Sequence, residues 1–228
     1  MAHPACAIDF SSMKQLLFIA GVIVIGAFPV TAQDAKIEVD NEWVRVVRSS
    51  QAPQARTASV DHPPSVVVYL TPARLRLTGA DGMTRNVRKR AGEVAYFDAG
   101  KYATENESAT VVNTVTVELK DGAKKAEAAP ITLDPVKLDP KHHLVPFEND
   151  RVRVLHTILE PHLKSPLHQH PHYVVVYLTE LHTTQTLPDG RTVDNPRKAG
   201  ELGWREPQQH VTENIGEHRA EEIQIELK

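Results

Sequence analysis

The chain holds one pattern twice. Residues 41–120 and 149–228 match at a constant offset of 108 with no gap. The run Val66–Thr71 returns at Val174–Thr179. Asp81-Gly82 returns as Asp189-Gly190, and Ala91-Gly92-Glu93 as Ala199-Gly200-Glu201. Thr104-Glu105-Asn106 returns as Thr212-Glu213-Asn214, and both copies close on Glu-Leu-Lys. A period this long marks a duplicated domain, because the units of a solenoid run about 20–50 residues. The copies can therefore be compared position by position. Where the second has His168 and His210, the first has Val60 and Tyr102.

Each copy carries β-type signals. Val115, Val117 and Leu119 alternate with Thr114, Thr116 and Glu118. Ile223, Ile225 and Leu227 alternate with Glu222, Gln224 and Glu226. Such a period of two puts one row on each face of a strand. The β-branched start of Val66–Thr71 reads as a buried strand. Asp81-Gly82 and Asp189-Gly190 sit between strand-like runs, where that dipeptide signals a hairpin. Neither repeat has a long helical apolar stripe, so the expected class is all-β. Between the copies, residues 121–146 hold Pro130, Pro135, Pro140 and Pro146. This reads as an extended linker with a strand at Ile131–Leu133 crossing to the partner domain.

The N-terminus reads as a secretory signal over residues 1–32. Lys14 supplies the positive charge, Leu16–Phe28 is apolar, and Val30-Thr31-Ala32 has the form of a cleavage site. Met13 is an alternative start. An uncleaved anchor is the competing reading, but the apolar run is short of the roughly 20 residues a span needs. The expected mature protein is periplasmic or secreted, with no stable membrane anchor after cleavage. The one cysteine, Cys6, precedes the apolar run, so the mature chain would have no disulfide. The formal net charge of −3 over 228 residues gives no electrostatic reason to expect a nucleic-acid partner.

Histidine is unevenly spread. Ten of the twelve fall within His142–His218, and the first repeat has only His62. His168 and His170 alternate on a strand-like segment, so their imidazoles point the same way. His172 would extend that row, although Pro171 disturbs a strand. His210 lies in a later strand-like segment. Three neutral imidazoles meeting at one point would hold a divalent ion and leave positions open for water or a substrate. Histidines on a surface rim, or a buried polar cluster without metal, fit the residues equally well, because His-x-His alone is a weak pattern.

Both repeats, about 160 residues, resemble the cupin superfamily of small β-barrels (double-stranded β-helices). His168-Gln169-His170 matches the centre of the first cupin motif. Gly200, Trp204 and the His210–Asn214 spacing match the second. The resemblance implies two tandem cupin domains, a bicupin. The N-terminal domain would span 33–120 with a degenerate site. A Pro-rich linker would follow over 121–146, and the C-terminal domain would span 147–228 with the metal site. It places His168, His170 and His210 on metal-ligand positions. The motif's glutamate is replaced by Val174 or Val175, which leaves a three-histidine face. A divalent cation there (Fe, Mn, Ni or Zn) would carry a higher net charge and favour an anionic or oxygen-bearing small molecule.

In the first repeat only His62 remains, so the resemblance gives that domain a structural role. Two functional readings stay open, beside a third in which both barrels are vestigial and the protein is structural. One is a metal-dependent cupin enzyme with dioxygenase-like or lyase/isomerase-like chemistry. The other is a non-enzymatic small-molecule-binding or sensing module. Pairing of an exposed edge strand with a second copy would make a homodimer. Glu93, Glu201 and the two Thr-Glu-Asn triplets recur in both copies, which points to fold roles. Asn106-Glu107-Ser108 fits a glycosylation sequon.

Overall fold

The computed structural model describes residues 34–121 and 130–228. The leader at 1–32 lies outside the described residues, as do residues 122–129 of the linker. The first repeat forms β1 (Asp34–Asp40), β2 (Val44–Gln51), β3 (Val60–His62), β4 (Ser65–Tyr69), β5 (Ala73–Gly79), β6 (Thr84–Lys89), β7 (Val94–Phe97), β8 (Gly100–Asn106) and β9 (Val112–Leu119). After the short helix α1 (Pro135–Leu138) come β10 (His143–Glu148), β11 (Val152–Leu159), β12 (His168–His170), β13 (Tyr173–Tyr177), β14 (Leu181–Thr186), β15 (Thr192–Arg197), β16 (Leu202–Arg205), β17 (Gln208–Asn214) and β18 (Ala220–Leu227).

The two halves share one topology. The first half has a five-stranded sheet β1-β2-β9-β4-β7 and a four-stranded sheet β3-β8-β5-β6. The second has β10-β11-β18-β13-β16 and β12-β17-β14-β15. Each pair of sheets makes one small β-barrel. The hairpin dipeptides behave as expected: Gly82 and Gly190 take φ of 77° and 84° in the turns between strands, where a side chain would be strained.

The alternating rows have an arrangement that period alone does not show. The apolar row does not fill the barrels. Val115, Val117 and Leu119 of β9 join Ile223, Ile225 and Leu227 of β18 in one buried cluster with Val44, Val66, Val152 and Val174. That cluster lies between the five-stranded sheets, so the barrels are glued back to back. Fully burying such a Val, Leu or Ile side chain is worth about 1.5–3 kcal/mol. The polar row faces inward instead. Thr114, Thr116 and Glu118 line the interior of the first barrel, and Glu222, Gln224 and Glu226 hold the same register in the second. Strands of these sheets are therefore covered on both faces, and every residue of β13 is buried.

Aromatic and polar contacts complete the interface. His172 sits between Trp43 of the first barrel, with ring centroids 5.0 Å apart, and Trp204 of its own barrel at 5.4 Å. Tyr96 stacks on Phe147 at 5.0 Å. Arg48 Nη2 donates to the Gly200 carbonyl at 2.6 Å.

The segment read as a linker has more structure than its prolines suggest. Ile131–Leu133 forms no strand. Instead Asp134 caps α1, accepting from the Val136 amide at 3.1 Å, with Pro135 at the first helical position. Gln169 N donates to the Leu133 carbonyl at 2.8 Å, which ties the segment to the strand bearing His168 and His170.

Candidate metal centre

In β12 and β17 the residues directly opposite each other are His168 and His210, and His170 stands opposite Gln208. Side chains opposite one another on paired strands start about 4.5–5.5 Å apart, so pairing alone brings His168 and His210 together. His170 lies on the same face two residues on. The three rings converge, with centroids of His168 4.6 Å from His210 and 4.9 Å from His170. One nitrogen from each lies within 4.8 Å of the others, and all three side chains are buried. Among the described residues this is the single cluster of its kind.

The surroundings fix the rings. His168 Nδ1 meets the Pro166 carbonyl at 2.8 Å. A carbonyl only accepts, so the proton is on Nδ1 and the Nε2 lone pair is free. His170 Nδ1 lies 2.7 Å from Glu226 Oε1. The other oxygen of Glu226 accepts from Arg153 Nε at 2.6 Å, and Arg153 Nη1 donates to Asp134 at 2.9 Å. The chain Asp134–Arg153–Glu226–His170 runs from the helix cap to the cluster. It is the outer shell that metal-binding histidines commonly need.

Burial keeps the cluster neutral. Desolvation, helped by the neighbouring imidazoles, lowers His210 to about 2 and puts His170 well below its ordinary value. Desolvation also lowers His168, and it lowers His143 to about 4. The His170–Glu226 contact is thus a hydrogen bond from a neutral imidazole. Burial raises Glu226 above the usual carboxylate value, while the Arg153 guanidinium pulls against it.

The donor set fits a divalent cation. His170 Nε2 and His210 Nδ1 are buried with no hydrogen-bond partner, and an orphaned buried nitrogen costs about 1–3 kcal/mol. Neutral imidazoles with free lone pairs are good ligands for first-row divalent metals. The substituted positions of the first motif fall as follows: Val174 packs into the inter-barrel core, and Val175 packs among the buried residues of the barrel.

Four site residues escaped the sequence reading. Glu226 belongs to the polar row of β18, which only the inter-barrel packing turns inward. Arg153 and Asp134 lie on other elements, and nothing in their spacing connects them. His143, from β10, brings a fourth buried ring to 5.3 Å from His168. The remaining candidates stand apart from the site. His172 belongs to the interface and pairs with Glu206 at 2.9 Å. His156 and His182 pair with Glu221 and Asp194.

Among the recurring residues, the two asparagines and Glu93 have fold roles. Asn214 Nδ2 donates to the carbonyls of Leu159, Glu160 and His218. Asn106 Nδ2 likewise donates to Gln51, Ala52 and Thr110. Asn106 is fully buried, so the sequon is closed to modification in the folded protein. Glu93 Oε2 accepts from the Arg90 amide at 2.8 Å in the turn before β7.

In the first barrel the equivalent positions make no centre. Val60 stands opposite Tyr102, and His62 stacks on Tyr102 at 4.0 Å with rings 16° apart.

No family model matches the sequence, and no curated protein does. Solved structures do match the fold. AerE from Microcystis aeruginosa is 13% identical with a TM-score of 0.60, covering 86% of this chain and 97% of its own. Bacillus subtilis oxalate decarboxylase, a protein with Mn(II) centres, is 13% identical with a TM-score of 0.55, over 87% of this chain and 76% of its own. A single-substitution variant of the same enzyme gives 14% and 0.57, over 81% and 69%. The chain therefore has the fold of these two-barrel proteins, two cupin-like barrels in tandem, and its second barrel holds a three-histidine cluster that fits a metal ion.

Proposed function

We propose that the C-terminal barrel is a metal-dependent enzymatic site for a small carboxylate, with His168, His170 and His210 holding Mn(II) or Fe(II). The observation that carries this reading is the convergence of three buried, neutral imidazoles, two of them with an orphaned nitrogen. The similarity to a Mn(II) protein acting on oxalate supports the choice of metal and substrate class.

A bound divalent ion would supply Lewis-acid polarisation and redox access at its open positions. The residues of the chain do the rest. Glu226 is already engaged by Arg153, so three neutral ligands leave the ion's charge uncompensated, and an anion is the favoured guest. Glu226 holds the His170 ring in one tautomer. Glu222 stands on the same face of β18, about 13 Å along the strand from Glu226. Burial raises its carboxyl to about 7. The apolar leader Leu16–Phe28 supports a periplasmic or secreted location, which cell fractionation and N-terminal sequencing of the mature protein would test.

Elemental analysis of tag-free protein tests the site. One equivalent of metal, lost in His168→Ala and His210→Ala and retained in His62→Ala, is the expected result. Metal-free wild type that takes up no Mn(II) or Fe(II) on reconstitution would sink it. Release of carbon dioxide or uptake of oxygen from a panel of small carboxylates would then identify the reaction. Saturable carboxylate binding without turnover under either metal would make the site a binding module instead.

A further inference from the structure

The first barrel, which keeps only His62 of the three histidine positions, encloses a cavity of about 230 Å³. The duplication explains why. Tyr173, Glu222 and Gln224 of the second barrel correspond to Ser65, Thr114 and Thr116 in the first, and all three smaller residues line the cavity. Leu155 likewise corresponds to Val47 of the lining. Each exchange removes side-chain volume while the surrounding strands keep their register. Other exchanges add volume, Tyr102 for His210 and Leu75 for Thr183, so the space is shaped by substitution at equivalent sites of one frame.

The wall has a definite chemistry. Tyr69, Phe97 and Tyr102 present aromatic rings, with Val67, Leu75 and Leu77 beside them. No lysine or arginine lines the space, and its one carboxylate is Glu118. The Arg85 guanidinium lies over the Phe97 ring at 5.1 Å but outside the lining, so the charge an anion would meet in the wall is the carboxylate of Glu118. The histidine is also committed: besides its stacking on Tyr102, His62 Nε2 lies 3.3 Å from the Tyr102 carbonyl. Burial raises Tyr69 and Tyr102, so both phenols keep their protons and remain donors. Val60, 48% exposed, also lines the space and marks its mouth.

Size narrows the guest. An apolar protein cavity of about 150 Å³ accepts a benzene-sized molecule, and drug-sized pockets begin at about 300 Å³. We propose that the N-terminal barrel is a second, metal-independent binding site that takes a neutral single-ring compound bearing one hydrogen-bonding group, such as a simple phenol. The two barrels of one chain then select opposite chemistries. One takes an anion on a cation, and the other a neutral ring in an aromatic wall.

The test uses the full mature chain, treated with a chelator, and titrates 4-ethylphenol and benzoate by calorimetry and ligand-observed NMR. Saturable one-to-one binding of 4-ethylphenol is expected, with benzoate at least about tenfold weaker. Binding should survive in the His168→Ala/His210→Ala variant, which separates it from the metal site. Ser65→Tyr restores the residue of the other barrel and should abolish binding. Thr116→Gln, a smaller intrusion, serves the same end where Ser65→Tyr does not fold. No saturable binding of 4-ethylphenol at millimolar concentration would overturn the proposal. So would binding that persists in a folded cavity-filling variant, or that requires metal.

Discussion

Glu226 Oε1 and His170 Nδ1 are 2.7 Å apart inside the C-terminal barrel, and each reaches that point from a different sheet. Glu226 is set on β18 by the strand that glues the two barrels together. His170 is set on β12 by pairing with β17. The hydrogen bond ties the inter-barrel core to the histidine cluster, and Arg153 and Asp134 extend it to the cap of α1.

Glu226→Gln should therefore weaken metal retention without removing a ligand. Its amide has a donor where Arg153 also donates, so the second contact is lost and His170 is less firmly held. A loss of about 10–100-fold in metal affinity is expected, read by competition with a chromophoric chelator. Wild-type affinity in a folded variant would show that the carboxylate does not tune the site.

Stability should fall as the solution is acidified from about pH 6.5 towards pH 4. His143, His168, His170 and His210 all titrate below the ordinary 6.5 in the folded state. Their contribution is complete above 6.5. Below it the unfolded chain binds protons that the fold refuses, down to about 4 for His143 and about 2 for His210. Glu222 and Glu226 work in the opposite sense. Raised carboxyls contribute fully below the ordinary 4.5 and lose that contribution as pH rises, through about 7 for Glu222. Four groups against two give a net fall. Urea midpoints of the metal-free protein at successive pH values would show it, and a midpoint that rises towards pH 4 would refute the balance.

Ile225 is fully buried between the barrels. Ile225→Ala should cost about 2–5 kcal/mol in chemical denaturation. Because β18 also carries Glu226, the same change should loosen the metal site. A substitution cost under about 0.5 kcal/mol, as for an ordinary surface position, would mean that the inter-barrel packing is not what holds β18.

Asn214→Ala strands three carbonyls that one amide now serves. A loss of about 1–3 kcal/mol is expected for the unmet polar groups, and Asn106→Ala should cost a similar amount in the first barrel. Thermal melts of the two variants check both. A clear loss in one barrel with none in the other would break the equivalence of the two turns.

Much of the architecture is legible in the sequence. The constant offset announced the duplication, alternation announced strands, and the Asp-Gly pairs announced hairpins, because each is a local property of backbone and side-chain period. The histidine pair His168 and His170 was readable for the same reason. The strand expected at Ile131–Leu133 was not formed, because the Asp134-Pro135 pair starts a capped helix directly after it.

Alternation by itself states that β18 has two faces, one with Ile223, Ile225 and Leu227 and one with Glu222, Gln224 and Glu226. It does not state which face lines a barrel. In a single barrel the apolar face would fill the interior. Here a second barrel offers a larger apolar surface to cover it, so the apolar rows meet each other and the polar rows are pushed inside. The sequence determined the repeat, the strands and the three imidazoles. The tertiary packing decided that Glu226 and Arg153 would stand behind His170, and that Ser65, Thr114 and Thr116 would surround a cavity, because both depend on which surface each sheet buries.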